Sequence, residues 1–199
     1  MGPVGVLALQ GDFEAHAVKI RELGRAVHFV RCLSDLNQVS GLVMPGGEST
    51  SMLRLLSESF LLELCSKARA GFPILATCAG AILIAKSVSG PSQRSFDLID
   101  IDVNRNAYGR QVDSFVAKLE LARDGRALFA EAKDQKTEIE GVFIRAPKIT
   151  RVGAGVQTLL NFGCEPVLVK QGNVMAATFH PELSKGILVH GLFLDGLAH

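Results

Sequence analysis

Ile74-Leu75-Ala76-Thr77-Cys78-Ala79-Gly80-Ala81-Ile82-Leu83-Ile84-Ala85-Lys86 decides how this chain folds. An apolar strand-like run meets a cysteine flanked by small residues, and a helix-like run follows. A sharp strand-to-helix turn lifts one side chain above the end of a sheet and leaves the first backbone N–H groups of the helix unpaired beside it. A thiol there sits in positive partial charge that favours the thiolate, next to donors that can hold an oxyanion. Cys78 is therefore a candidate nucleophile, and the plainer reading of it is a small buried hydrophobe.

Working outward, residues 4–9 form a continuous apolar run that stops at Gln10-Gly11, as a strand buried on both faces would. Asp12 is placed to cap a helix reaching Leu23, which Gly24 ends. Residues 26–30 and 41–44 read as two more strands, the second stopping at Pro45-Gly46-Gly47. Glu48-Ser49-Thr50-Ser51 then opens a helix bearing Met52, Leu53, Leu55 and Leu56, and residues 60–70 form another, closed by Gly71. The paired glycines allow N–H groups to face a ligand, or make a plain turn before a capped helix. Strands alternating with helices at this spacing predict a mainly parallel sheet covered on both faces, with ligands beyond the carboxyl ends of its strands.

After Phe96 the rhythm changes. Residues 98–103 and 115–121 read as a hairpin-like pair at the sheet edge, with the polar turn Asn104-Arg105-Asn106-Ala107-Tyr108-Gly109-Arg110-Gln111 between them. Residues 124–137 read as a loop with a short helix near Leu128-Phe129, Val142-Phe143-Ile144 precedes Arg145-Ala146-Pro147, and short strands are expected at 156–160, 167–170 and 174–178.

The last strand runs into Thr178-Phe179-His180-Pro181-Glu182-Leu183. An extended chain ahead of proline would put His180 and Glu182 on one side, so the carboxylate could fix the imidazole tautomer. His180 then has the chemistry of a base for Cys78 and Glu182 that of its orienting partner. His16, His28 and His190 lack such an arrangement in the sequence and read as structural or surface groups.

Composition narrows the partners. The chain has 199 residues, 48% hydrophobic and 21% charged, enough for one domain with a substantial core. Its 21 basic and 20 acidic residues leave a net charge of +1 without a charged block, which points away from nucleic acid and membrane surfaces. No leader or spanning run is evident, and Cys32, Cys65, Cys78 and Cys164 form no CxxC pair; the expectation is a cytoplasmic protein with free thiols and no metal.

With Cys78, His180 and Glu182 in that order, the chain resembles the triad class of glutamine amidotransferases. Leu7-Ala8-Leu9-Gln10-Gly11, Pro45-Gly46-Gly47-Glu48-Ser49-Thr50, Thr77-Cys78-Ala79-Gly80, the block from Arg105 to Gln111, Phe143-Ile144-Arg145-Ala146-Pro147 and Phe179-His180-Pro181-Glu182-Leu183 together resemble the glutaminase subunits of pyridoxal 5′-phosphate synthases. The resemblance implies an α/β, flavodoxin-like three-layer sandwich with a mainly parallel sheet and an antiparallel edge, formed by residues 1–199 as one glutaminase domain. It implies hydrolysis of L-glutamine through a γ-glutamyl thioester, without a cofactor, and delivery of ammonia to a synthase subunit in a hetero-oligomer. Gly47, Glu48, Ser49, Arg105, Ile144 and Arg145 match the family's glutamine site, and Gly47 and Ala79 its oxyanion hole. Taken singly, Arg105 and Arg145 read as surface residues. Family members often carry glycine where this chain has Ala76, residues 124–137 are longer than the compact family form, and Ser184-Lys185-Gly186 replaces a more acidic run. A glutaminase of another pathway, such as histidine biosynthesis, and a catalytically silent regulatory subunit are the alternatives.

Overall fold

The computed structural model describes residues 2–105, 114–129 and 139–197. Of the expected 104–111 turn, Asn104 is instead the last residue of a strand and residues 106–111 lie outside them, as does the part of the expected 124–137 loop beyond Phe129. Five short apolar runs make the parallel half of the sheet: β1 (Val4–Leu7), β2 (Val27–Val30), β3 (Leu42–Met44), β4 (Ile74–Thr77) and β12 (Val174–Ala177), side by side in the order β2-β1-β3-β4-β12. This is the flavodoxin-like order. Beyond β12 the sheet continues antiparallel through β11 (Glu165–Gln171), β10 (Gln157–Phe162), β7 (Phe115–Leu121) and β8 (Ile139–Phe143).

Alternation along the strands builds the layers, because successive side chains point to opposite faces. Leu42, Met44, Ile74, Ala76, Val174 and Ala176 pack into one core with α3 (Ser49–Leu55), α4 (Glu58–Arg69) and α5 (Ala79–Ile84). Val43, Leu75, Met175 and Ala177 pack into the other with α1 (Phe13–Glu22) and α7 (Leu188–Asp195). α1 begins where the sequence places its cap, whereas α4 begins at Glu58, ahead of the expected Phe60. Asp12 accepts from the Ala15 N–H, and Ser57 accepts from the Phe60 N–H.

Several expectations are corrected. The run after Cys78 is helical only to Ile84, because the Phe96, Leu98 and Asp97 N–H groups bond the carbonyls of Leu83, Ile84 and Ala85. Ala85–Ser89 becomes strand β5, in a separate three-stranded sheet with β6 (Ile99–Asn104) and β9 (Lys148–Val152). β6 and β7 therefore form no hairpin. Ile99, Ile101 and Val103 belong to the first core, whereas Leu119 of β7 belongs to the second, so the two strands diverge to opposite faces. The sequence reading also lacked β9, α7 and the one-turn helix α2 (Leu33–Leu36), while the helix expected near Leu128 is α6 (Arg123–Phe129).

α5 lies tight against β3. A Cβ on Gly80 would sit 2.4 Å from the Met44 carbonyl oxygen, so this crossing admits only glycine. Gly80→Ala is expected to lower stability by about 1–3 kcal/mol, the usual cost of overpacking, read as a lower urea midpoint with an unchanged slope.

Candidate active site

Cys78 occupies the one-residue corner between β4 and α5. Its φ of 48° lies in the left-handed region that a side chain tolerates poorly, a strain of roughly 1–3 kcal/mol held by its surroundings. The Cys78 N–H bonds the Ala177 carbonyl at 2.8 Å, and its own carbonyl accepts from the Ile82 N–H at 3.2 Å. Ala76, where glycine is frequent in the resembling family, is buried in the first core, and the corner forms with it.

His180 arrives from the end of the neighbouring strand β12, its N–H bonded to the Val142 carbonyl at 2.8 Å. It is not extended, as expected, but has φ −104° and ψ 84°, and Pro181–Leu183 forms a 3-10 turn closed by Leu183 N–H to His180 carbonyl at 3.2 Å. Proline suits the first position of such a turn. The turn still folds Glu182 back on the ring, with His180 Nδ1 2.7 Å from Glu182 Oε1. Both side chains are buried. Burial opposes charge on His180, but hydrogen bonds with Cys78 and then Glu182 outweigh it and raise the pKa to about 10.

Gly46 separates the strand ends. A Cβ there would lie 3.2 Å from Cys78 Cβ and 2.5 Å from His180 Cε1, so the thiol and imidazole close over a bare backbone. Beyond them opens a cleft of about 480 Å³, the size of a small-molecule site, at the carboxyl ends of β1, β3, β4 and β12. A larger hollow, about 610 Å³, runs along α7 and α6 and shares no residue with it.

The structure places the other expected residues around this cleft. Gly47, Glu48, Ser49, Arg105, Ile144 and Arg145 all line it. Glu48 caps α3: its Oε1 accepts from Thr50 N–H at 3.0 Å and its Oε2 from Ser51 N–H at 2.6 Å. Those bonds, the Ser51 side chain first, hold its carboxyl down to about 2. Arg105 is anchored on the same turn, its Nη2 3.3 Å from Glu48 Oε1 and 3.1 Å from Thr50 Oγ1. Ser49 Oγ donates to Gln93 Oε1 at 3.0 Å. Arg145 has φ 44°, which turns its exposed side chain out at the cleft rim beside Ile144, whose carbonyl lies 4.0 Å from Cys78 Sγ. Ala79, the first residue of α5, is buried and not in the cleft lining. Gln10, Gly11, Asp12, Ile82 and Leu183 also line the cleft, although the sequence reading gave them no site role.

Of the structural or surface roles expected for His16 and His190, the surface one is excluded, because both are buried. His16 and His190 are not isolated: His16 Nδ1 lies 2.9 Å from His190 Nε2, and His16 Nε2 lies 3.2 Å from both Thr77 Oγ1 and Glu182 Oε2. All four groups are buried. The i-to-i+2 pairing of His180 and Glu182 was visible in sequence, whereas this cluster joins α1, β4 and α7 and has no local signature. Among the described residues no three His, Cys, Asp or Glu are grouped to hold a metal ion, and no helix is long and apolar enough to cross a membrane.

Residues 6–199 match the model of the SNO glutamine amidotransferase family. The chain is 47% identical over 197 residues to pyridoxal 5′-phosphate synthase subunit PdxT of Solibacter usitatus, covering 99% of this chain and 100% of that one. Over 193 residues it is 42% identical to the subunit of the same name from Thermotoga petrophila, covering 96% and 97%. A crystal structure of a glutamine amidotransferase, 39% identical, superposes with a TM-score of 0.87 over 100% of both chains.

The buried histidines make stability depend on pH. Burial, and then His190 and His180, lower His16 well below 6.5; burial, and then Lys19, lower His190 to about 4. Below pH 6.5 the unfolded chain takes up protons that the folded one refuses, so stability falls with pH, by up to about 1.4 kcal/mol per pH unit for each ring. His180, raised to about 10, works the other way and offsets part of the fall near pH 6.5, until the unfolded ring is protonated too and its slope vanishes. Urea midpoints are expected to fall from pH 6.5 to about 5, above the range where the carboxylates titrate, and His190→Asn to flatten that fall.

Proposed function

Since the chain belongs to the SNO glutamine amidotransferase family, we propose that it is a glutaminase that hydrolyses L-glutamine and supplies the ammonia to the synthase subunit of a pyridoxal 5′-phosphate synthase, in a hetero-oligomeric complex. Residues 1–199 act as one glutaminase domain. A working thiol at Cys78 suits a reducing compartment, and the enzyme is assigned to the cytoplasm.

The observation that carries this reading is the convergence of Cys78, His180 and Glu182 at the ends of adjacent strands, beside a cleft of substrate size. In it, the proton shared by Cys78 and His180 already rests on the imidazole, in keeping with its raised pKa, and the Cys78 sulfur attacks the carboxamide carbon of glutamine. Glu182 steadies the imidazolium. Collapse of the tetrahedral intermediate breaks the C–N bond, and His180 returns the proton to the departing ammonia. Water then attacks the γ-glutamyl thioester with His180 as base, releasing glutamate and restoring the thiol.

The backbone N–H groups of Gly47 and Ala79 are assigned to the developing oxyanion, a task for which main-chain donors need little rearrangement. Arg105 and Arg145 carry fixed positive charge to the rim and are assigned to the substrate α-carboxylate, with Glu48, Ser49 and Ile144 shaping the pocket around it. No cofactor enters this chemistry.

Glutamate release from L-glutamine, by the purified chain alone and mixed with such a synthase subunit, tests the assignment. Release that the synthase stimulates and Cys78→Ala abolishes is the expected result. Unstimulated release would move the chain to another amidotransferase pathway, and none in either case would make it a silent subunit. Gly46→Ala, whose added methyl meets His180, is expected to lower kcat at least roughly tenfold by displacing the base, with folding checked by circular dichroism.

A further inference from the structure

The Glu182 carboxylate is enclosed, and only one of its oxygens faces His180. Oε1 takes the 2.7 Å contact from Nδ1. Oε2 has no hydrogen bond of full geometry among the described residues; what it meets is His16 Nε2, at 3.2 Å. A buried carboxylate held by one oxygen can pivot about that bond, and leaving its other oxygen without a donor costs free energy.

Protons can be assigned along this cluster from its geometry. Both His16 and His190 are neutral, since burial lowers the pKa of each, so each ring carries one N–H. A bare nitrogen facing a carboxylate would be repelled, so His16 Nε2 is the protonated one, shared between Glu182 Oε2 and Thr77 Oγ1. His16 Nδ1 must then accept, and the N–H it accepts is His190 Nε2, at 2.9 Å. That leaves His190 Nδ1 bare. It is the buried ring nitrogen of this cluster that has no hydrogen-bond partner among the described residues, as the assignment requires.

Resting on the glutaminase reading, we propose that His16 is a positioning residue for the reaction: its Nε2–H holds Glu182 Oε2, so that Oε1 stays aimed at His180 Nδ1. His190 fixes the His16 tautomer from α7. Thr77, the last residue of β4 and the one before the nucleophile, meets the same nitrogen through its Oγ1. Both the carboxylate and the thiol are thereby referred to one ring on α1.

Two substitutions separate this from a packing role. The amide nitrogen of His16→Gln reaches the place of Nε2 and can still donate to Glu182, whereas that of His16→Asn reaches only the place of Nδ1. In the complex with the synthase subunit, H16N is expected to lower kcat for glutamine about tenfold to a hundredfold, the worth of a hydrogen bond to a charged group, with KM within about twofold. H16Q should stay within about threefold of the unsubstituted enzyme. A second readout needs no turnover: the low-field proton resonance of His180 Nδ1–H should be present in the unsubstituted chain and in H16Q, and lost or exchange-broadened in H16N while thermal unfolding shows both variants folded. An H16N enzyme with unchanged kcat, or equal losses in both variants with the resonance intact, would overturn the proposal. Absence of glutamate release by the unsubstituted complex would instead overturn the glutaminase reading, and the resonance would still decide whether His16 orients Glu182.

Discussion

The strained corner at Cys78 is what the remaining structure is arranged to hold. Left to itself a cysteine would relax out of φ 48°, and three restraints prevent it. β4 is paired on both sides, by β3 and β12, so Thr77 cannot shift. The corner's own N–H is bonded to Ala177 of β12, and the helix that follows is pressed onto Met44 through Gly80. Each restraint comes from apolar runs whose burial on both faces made them central strands in the first place.

The partition of those runs between two cores explains where polar chemistry can be placed. Strand interiors alternate between the layers and leave no room for charge, so reactive groups collect where the strands stop. Cys78, His180 and the Gly46-Gly47 turn are all strand-end residues. The exception is the His16, Thr77 and His190 cluster, a polar island within the second layer, which is tolerable because its rings are neutral and linked to one another. Its position under Glu182 connects the layer of α1 and α7 to groups that the sheet alone would carry.

How much of this could be read from the chain itself depended on distance along it. β1, β3, β4 and β12 are continuous apolar runs, and the cap at Asp12 acts within a single turn, so local patterns were sufficient. Cys78 with His180 and Glu182 was legible because an elbow and a short-range pair carry their own signatures. The His180 to Glu182 contact is found, but through a 3-10 turn rather than an extended segment, since i-to-i+2 proximity has more than one backbone solution. β5 and β9 were hidden because their pairing with β6 depends on carbonyls capped from residues 96–98 and on a strand far along the chain. His16 was hidden for the same reason: its partners lie 61 and 174 residues away.

The adjacency of β4 and β12 has one more consequence. Thr77 and Ala177 are register partners in neighbouring parallel strands, so the separation of thiol and imidazole is set by a pair of hydrogen-bonded backbones and not by the excursion that joins them. Much of the excursion between Ala85 and Gln171 can change length or surface without moving the reacting groups, so long as Val142 still holds the His180 N–H and Val167 the Thr178 N–H. That excursion also delivers Ile144 and Arg145 to the rim of the cleft. Over evolutionary time, the chain can thus alter what it admits and what it docks against while its chemistry stays in place.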